Sequence, residues 1–302
     1  MTTSSSERYS GHESFVCRYG WLPKVYAAVT QNPLLLKDEE LAMNVLGIGR
    51  NMVKSVQFWA EAAAVIESAS SSGHVPGKVG ERLFGVDGWD PYLESLESLW
   101  LIHWQLSTAA QLAAWNEVFG EGKLIRFDRP RLISALAQKG ANLARPLAPS
   151  TLEQHASIFV QTYFQAERGT DDTSWCPLQD LNLIGAAKTE DGRLLYNSSA
   201  GAPVGLTLRL FGMVLADYIR RQGHGGNSAD FVTVLKGEFS PGVVFRLDEH
   251  QLRQLLANAI AGPFKKALKF VDTADTQSVI LDLDAVAPEY RLWAQEGELQ
   301  HA

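Results

Sequence analysis

Leu46–Ala60, LGIGRNMVKSVQFWA, decides how this chain is read. Just upstream, Lys37–Leu46 (KDEELAMNVL) has the composition of a short helix. Together they outline one helix, a three-residue turn carrying Gly47 and Gly49, and a second, longer helix. That order is a helix-turn-helix. Gly47 suits a left-handed helix cap, and Gly49 lets the next helix leave at a sharp angle. In the second helix Met52, Val56, Trp59, Ala63 and Ile66 recur at helical spacing and form one apolar stripe. Arg50, Lys54 and Gln57 share another face, with Asn51 and Ser55 beside them. These are the side chains that reach phosphates and base edges, and they crowd into the half of the helix that normally enters a major groove. A polar face that only meets water has the same pattern, so this stretch alone leaves both readings open.

Composition narrows the class. The chain has 302 residues, 46% of them hydrophobic, with eight Trp and thirteen Phe. That is enough for two domains with buried cores. Only Cys17 and Cys176 are present, without metal-ligand spacing, as expected of a reduced cytoplasmic protein. No apolar run approaches the length of a membrane span, and MTTSSSERYS at the start lacks the apolar segment of a secretory signal. A membrane partner is therefore not expected. The net charge of −7 argues against charge-driven DNA binding over a broad surface, though not against one local basic face.

Outward from the helix-turn-helix, the segment GHESFVCRYGWLPK (residues 11–24) concentrates unusual chemistry. Phe15, Arg18, Trp21 and Lys24 are spaced by three, which places them on nearly one face of a turn or helix. Arg18 and Lys24 are candidate phosphate contacts. His12 and Glu13 are candidates for a general base and an acid or metal ligand, or for bracing the first helix. After Ile66 the chain turns Ser/Gly-rich, and Val75, Val79, Leu83 and Phe84 interleave with polar residues. This predicts a β-hairpin or a surface loop. A hairpin there would be a wing, with Lys78 and Arg82 against flanking DNA backbone. Asp90-Pro91 predicts a helix start, and the run that follows is apolar on nearly all sides, which buries Trp100 and His103. Trp59 is expected in the core as well.

Gly120-Glu-Gly122 and the basic stretch after it suggest a boundary, giving domains of residues 1–120 and 121–302. In the second part, helices are predicted over 152–164 and 205–221, with a hairpin over 188–197. The last 70 residues read as a short helix at 231–235, a strand at 243–247, a helix capped by Asp248, and a hairpin over 268–283. Helix followed by a two-stranded hairpin is winged-helix order. The expected fold is thus α+β and mostly helical: an N-terminal winged helix-turn-helix-like domain, then a mainly helical domain with a C-terminal winged-helix-like element.

Signatures of catalysis are few. The chain has no phosphate-binding glycine loop, no HExxH, no CxxC and no GxSxG. Asp282 and Asp284 alternate near a strand end, so both could face one hard cation. Lys265, Lys266 and Lys269 form a small basic cluster that either tracks phosphates or is simply solvated.

GHESFVCRYGWLPK, LGIGRNMVKSVQFWA and DPYLESLESLWLIHWQL together resemble the SspB-like family. These are long-uncharacterised bacterial proteins from gene clusters for DNA phosphorothioation, in the Ssp system of phage defence. The similarity covers most of the chain and is weaker at CPLQDLNLI and SPGVVFRLDE. It implies double-stranded DNA as the ligand, and nicking of one strand so that sulfur can replace a non-bridging phosphate oxygen. It also implies a cysteine desulfurase, a sulfurtransferase and an ATPase as partners, and a cofactor of Mg²⁺ or another divalent metal. It supplies no catalytic residues. An enzyme that nicks DNA and a non-catalytic module for recognition, recruitment or transcriptional regulation both remain open.

Overall fold

The computed structural model describes residues 7–69, 73–164, 175–198, 201–222, 227–273 and 275–291. The chain divides into two compact units, one of residues 1–118 and 123–199, the other of 119–122 and 200–302.

The first unit opens with α1 (Trp21–Gln31), a 3-10 turn (Leu35–Lys37), α2 (Glu39–Leu46) and α3 (Arg50–Ala62). A hairpin of β1 (Ile66–Ser68) and β2 (His74–Pro76) follows, paired antiparallel with Ile66 opposite Pro76 and Ser68 opposite His74. Next come α4 (Lys78–Phe84), α5 (Leu96–Thr108), the single turn α6 (Ala113–Trp115) leading into a π-turn, β3 (Arg126–Phe127), α7 (Arg129–Lys139), α8 (Pro149–Tyr163), β4 (Gly185–Lys188) and β5 (Leu194–Asn197). The last three strands form a small antiparallel sheet in the order β3-β5-β4.

Its core is aromatic. Trp59, Trp100, Trp104, Trp115, Phe159 and Tyr163 are all buried. The Tyr163 hydroxyl lies 2.8 Å from His103 Nδ1 and accepts from Trp115 Nε1 at 2.9 Å. Through these contacts α8 packs with α5 and α6 in the first unit. His103 is a hydrogen-bonded core residue, as its neighbours Trp100 and Trp104 suggested. Cys17 and Cys176 are buried free thiols, and burial pushes Cys176 up to about 12.

The second unit contains α9 (Leu208–Arg221), β6 (Ser228–Asp230), α10 (Phe231–Lys236), α11 (Pro241–Val244), α12 (Glu249–Ala261), β7 (Leu268–Asp272) and β8 (Gln277–Leu281). Its antiparallel sheet has the order β6-β8-β7. Gly212 of α9 seats the Phe264 ring so closely that a Cβ there would lie 2.0 Å from it.

Several local expectations change. Lys78–Phe84 is helix, because Val79 and Leu83 are buried on one face at a spacing of four. The apolar run at 243–247 is not a strand: Ser240 caps α11, and its hydroxyl accepts from the Val243 N–H at 3.3 Å. Asp90 gathers the N–H groups of Glu94 and Ser95, while Ser95 itself caps α5. No helix among the described residues is long and apolar enough to cross a membrane.

Candidate nucleic-acid interface

The surface begins at the end of α2. Asp38 caps that helix by accepting from the Leu41 N–H at 3.0 Å, and Glu39 and Glu40 lie in the first turn, where the helix dipole favours them. Gly47 ends it in the left-handed region at φ 64°, with its N–H on the Met43 carbonyl. Lys24 of α1 donates from Nζ to the Leu46 carbonyl at 2.7 Å, placing an ammonium at the negative end of α2. Gly49 is extended and immediately precedes α3.

On α3 the residues Val53, Val56, Phe58, Trp59 and Ala60 are buried, while Arg50, Asn51 and Lys54 are exposed. The buried arc is shifted from the expected stripe. Met52 is half-buried, the helix ends at Ala62, and Ile66 already belongs to β1. Ser55 leaves the polar face, since it is buried and donates to the His12 carbonyl at 3.0 Å. Arg50 Nε meets Glu39 Oε1 at 3.1 Å in a pair exposed on both sides. A screened pair of that kind orients the guanidinium more than it stabilises the fold.

Gln57 turns toward the hairpin instead of outward. Its amide donates to Glu61 Oε1 at 2.9 Å, and Glu61 Oε1 lies 2.9 Å from His74 Nε2 at the start of β2. These three side chains fasten the hairpin to α3. Lys78 is exposed on α4, and the half-buried Arg82 carries its guanidinium 5.9 Å from the centre of the Trp89 ring. Arg18 precedes α1 and stacks between Phe15 and Trp21, 5.8 and 5.6 Å from the ring centres. The spacing of three therefore does gather Phe15, Arg18 and Trp21, but at a helix entrance and not along a helix.

His12 and Glu13 are adjacent and point into different surroundings. Glu13 is exposed, whereas His12 is 1% exposed and stacks on His155, with Nε2 3.2 Å from His155 Nδ1. Burial, aided by the Arg8 charge, pushes His12 down to about 4; burial and the His12 ring push His155 down to about 3. Both rings are neutral near pH 7, and the hydrogen bonds assign their tautomers. The Ala114 N–H donates to His155 Nε2 at 3.2 Å, so the His155 proton is on Nδ1 and is given to His12 Nε2. The His12 proton then sits on Nδ1, a buried atom with no hydrogen-bond partner. The backbone around it is left-handed at Gly11 (φ 113°), Glu13 (φ 49°) and Ser14 (φ 66°). A Cβ on Gly11 would lie 2.5 Å from the Phe58 ring. No short sequence pattern could have revealed His155, which is 143 residues away.

Asp282 and Asp284 do not share a strand face, because β8 ends at Leu281. Asp282 Oδ1 instead accepts from the N–H groups of Asp284 and Ala285, at 3.1 and 3.3 Å, which closes a turn. Among the described residues no group of three or more His, Cys, Asp or Glu is placed to hold a metal ion.

These features describe an α+β protein with a helix-turn-helix segment and a hairpin tied to its second helix. The chain belongs to the family described as protein of unknown function DUF4007, whose model matches residues 9–291. Its fold is similar to a magnesium ion-bound SspB crystal structure, with a TM-score of 0.81 and 25% identity over 92% of this chain and 83% of that one. A second SspB crystal structure has a TM-score of 0.79 and 24% identity over the same shares. No curated protein matches the chain.

Proposed function

We propose that this protein contacts double-stranded DNA as part of a bacterial phosphorothioate modification and phage-defence system, and that it nicks one strand so that sulfur can be incorporated. The likeness to SspB supports the choice of system. The observation that carries DNA binding is the start of α3, where Arg50, Asn51 and Lys54 are exposed directly after the tight Gly47–Gly49 turn, with a hairpin following the helix. We read α2, α3 and the β1–β2 hairpin as a winged helix-turn-helix, with α3 as the groove-entering helix. Lys24, Arg18, Lys78 and Arg82 would flank it on phosphates, and Gln57 would hold the wing. We likewise read the second unit, β6–α10–α11–α12–β7–β8 with its sheet ordered β6-β8-β7, as a winged helix. The partners would be the cysteine desulfurase, sulfurtransferase and ATPase of the same system.

The decisive assay is conversion of supercoiled plasmid to open circle with Mg²⁺ or Mn²⁺, run beside a gel shift on linear duplex. Arg50→Ala and Lys54→Ala should each weaken binding by on the order of 1–3 kcal/mol while the protein stays folded. Wild-type affinity in both variants would make α3 a purely structural helix. The buried, neutral His12 and the turn-closing Asp282 favour a second reading: a non-catalytic module that recognises DNA and recruits the modifying enzymes or regulates their genes. DNA binding with an intact supercoiled plasmid would select it. Open circle that forms with wild type and is lost in Glu13→Ala at unchanged affinity would place chemistry in the 11–24 segment.

A further inference from the structure

The helix α12 has two faces that differ completely. Leu252, Leu256 and Ala259 are buried. On the opposite side His250, Gln254, Ala257, Asn258 and Ala261 are all exposed. At ~100° per residue the centres of the two sets lie about 180° apart. The exposed set contains no Lys, Arg, Asp or Glu. A helix face that only meets water usually carries such charges, which give solubility and pairing along the helix. Two amides, an imidazole and two alanines instead suit close approach to another surface. Gln and Asn present a donor and an acceptor side by side, the pattern that matches the N6 and N7 edge of adenine. The alanines leave room for that approach.

The surroundings indicate which surface. Lys265 and Lys266 are exposed in the turn that leaves α12, and Lys269 is exposed on β7. Three acidic groups that flank the helix are engaged. Asp248 accepts from the Gln251 N–H at 2.7 Å as the helix cap, and Arg253 pairs with both Glu249 and Asp272. Arg253 also lies 4.6 Å from the centre of the Phe231 ring, so it is held against the unit and away from the exposed face. What α12 presents is thus an uncharged reading face with lysines at its C-terminal end.

We propose that α12 is a second DNA-reading helix, inserting Gln254 and Asn258 into a major groove with a preference for adenine, while Lys265, Lys266 and Lys269 hold phosphates. This rests on the winged-helix reading of the second unit and is separate from the role of Arg50 and Lys54. The test uses the full chain and a pool of duplexes with a randomised core, measuring both affinity and the sequences retained. Gln254→Ala/Asn258→Ala should lose affinity by on the order of tenfold or more and stop enriching adenine at particular positions. Ala257→Glu should abolish the same enrichment, and its exposure means that it should fold. Replacing the three lysines by alanine should lower the salt dependence of binding by roughly one unit of slope per lysine, without changing which sequences are retained.

The outcomes separate the two helices. Loss of selection in the α12 variants, with or without an effect of Arg50→Ala/Lys54→Ala, supports the inference even if the α3 reading fails. Wild-type affinity and wild-type selection in both Gln254→Ala/Asn258→Ala and Ala257→Glu overturn it. So does a change in self-association, measured by sedimentation, with DNA selection unchanged; that result would make the face a contact between protein chains. Failure of the wild-type protein to bind any duplex overturns this inference and the α3 reading together.

Discussion

Acidification should weaken the first unit through the stacked pair His12 and His155. Each ring is essentially fully buried, and each is held well below the ordinary imidazole value of 6.5. In the unfolded chain both take up a proton as the pH falls through about 6.5, while in the folded unit neither does so until about 4 or below. The unfolded state therefore binds more protons in that window, and linkage requires stability to fall as pH falls. At about pH 5 the cost is set almost wholly by the unfolded value, since both folded values lie well beneath it. It amounts to about 2 kcal/mol per ring, or about 4 kcal/mol for the pair relative to pH 7.5. Urea titrations at about pH 7.5, 6 and 5, followed by tryptophan fluorescence, would measure it, because Trp115 packs 5.9 Å from the His155 ring. The double variant His12→Asn/His155→Gln should be less stable at neutral pH yet show a much flatter dependence. A wild-type loss under about 1 kcal/mol by pH 5, or an unchanged slope in the double variant, would refute the assignment of two neutral buried rings.

Three other perturbations follow from the same packing. Trp59→Ala should cost about 3–5 kcal/mol in denaturant titrations, since the indole is 1% exposed and its N–H is spent on the Phe15 carbonyl; a stable variant with lost DNA affinity would mean that Trp59 faces the ligand. Tyr163→Phe should cost about 1–3 kcal/mol, because the lost hydroxyl serves both His103 and Trp115 and leaves a buried indole N–H unpaired. Gly212→Ala should destabilise the second unit by about 1–3 kcal/mol and lower its melting temperature, because the new methyl collides with the Phe264 ring.

The parts of the fold legible in sequence were those written in local chemistry. Gly47 in the left-handed region, Asp248 as a cap, and the Glu-Asp-Gly-Arg turn between β4 and β5 all act within a few residues. Where the apolar spacing fits two periods, tertiary packing decided. Val79 and Leu83 could serve a strand or a helix, and burial against the unit made them a helix. Val243–Leu247 carries the residues of a strand, yet Pro241 and the Ser240 cap start a helical turn first. The end of α3 was missed because Ala64 reverses the chain at φ 52° with no glycine to announce it. In the candidate interface, the exposure of Arg50, Asn51 and Lys54 followed from helical spacing. The inward turn of Gln57 did not, since it depends on His74, which reaches it only through the hairpin.

That last connection has a mechanical consequence. His74 is fixed on one side by Glu61 and Gln57, and its own N–H donates to the Pro33 carbonyl at 2.8 Å. His74 is the β2 residue nearest the turn, opposite Ser68, so the turn end of the hairpin is clamped between α3 and the segment before α2, and helix and hairpin are held at one spacing. On the DNA-binding reading proposed above, a duplex engaging both helix and hairpin would have to match that spacing, so groove width would select it by shape.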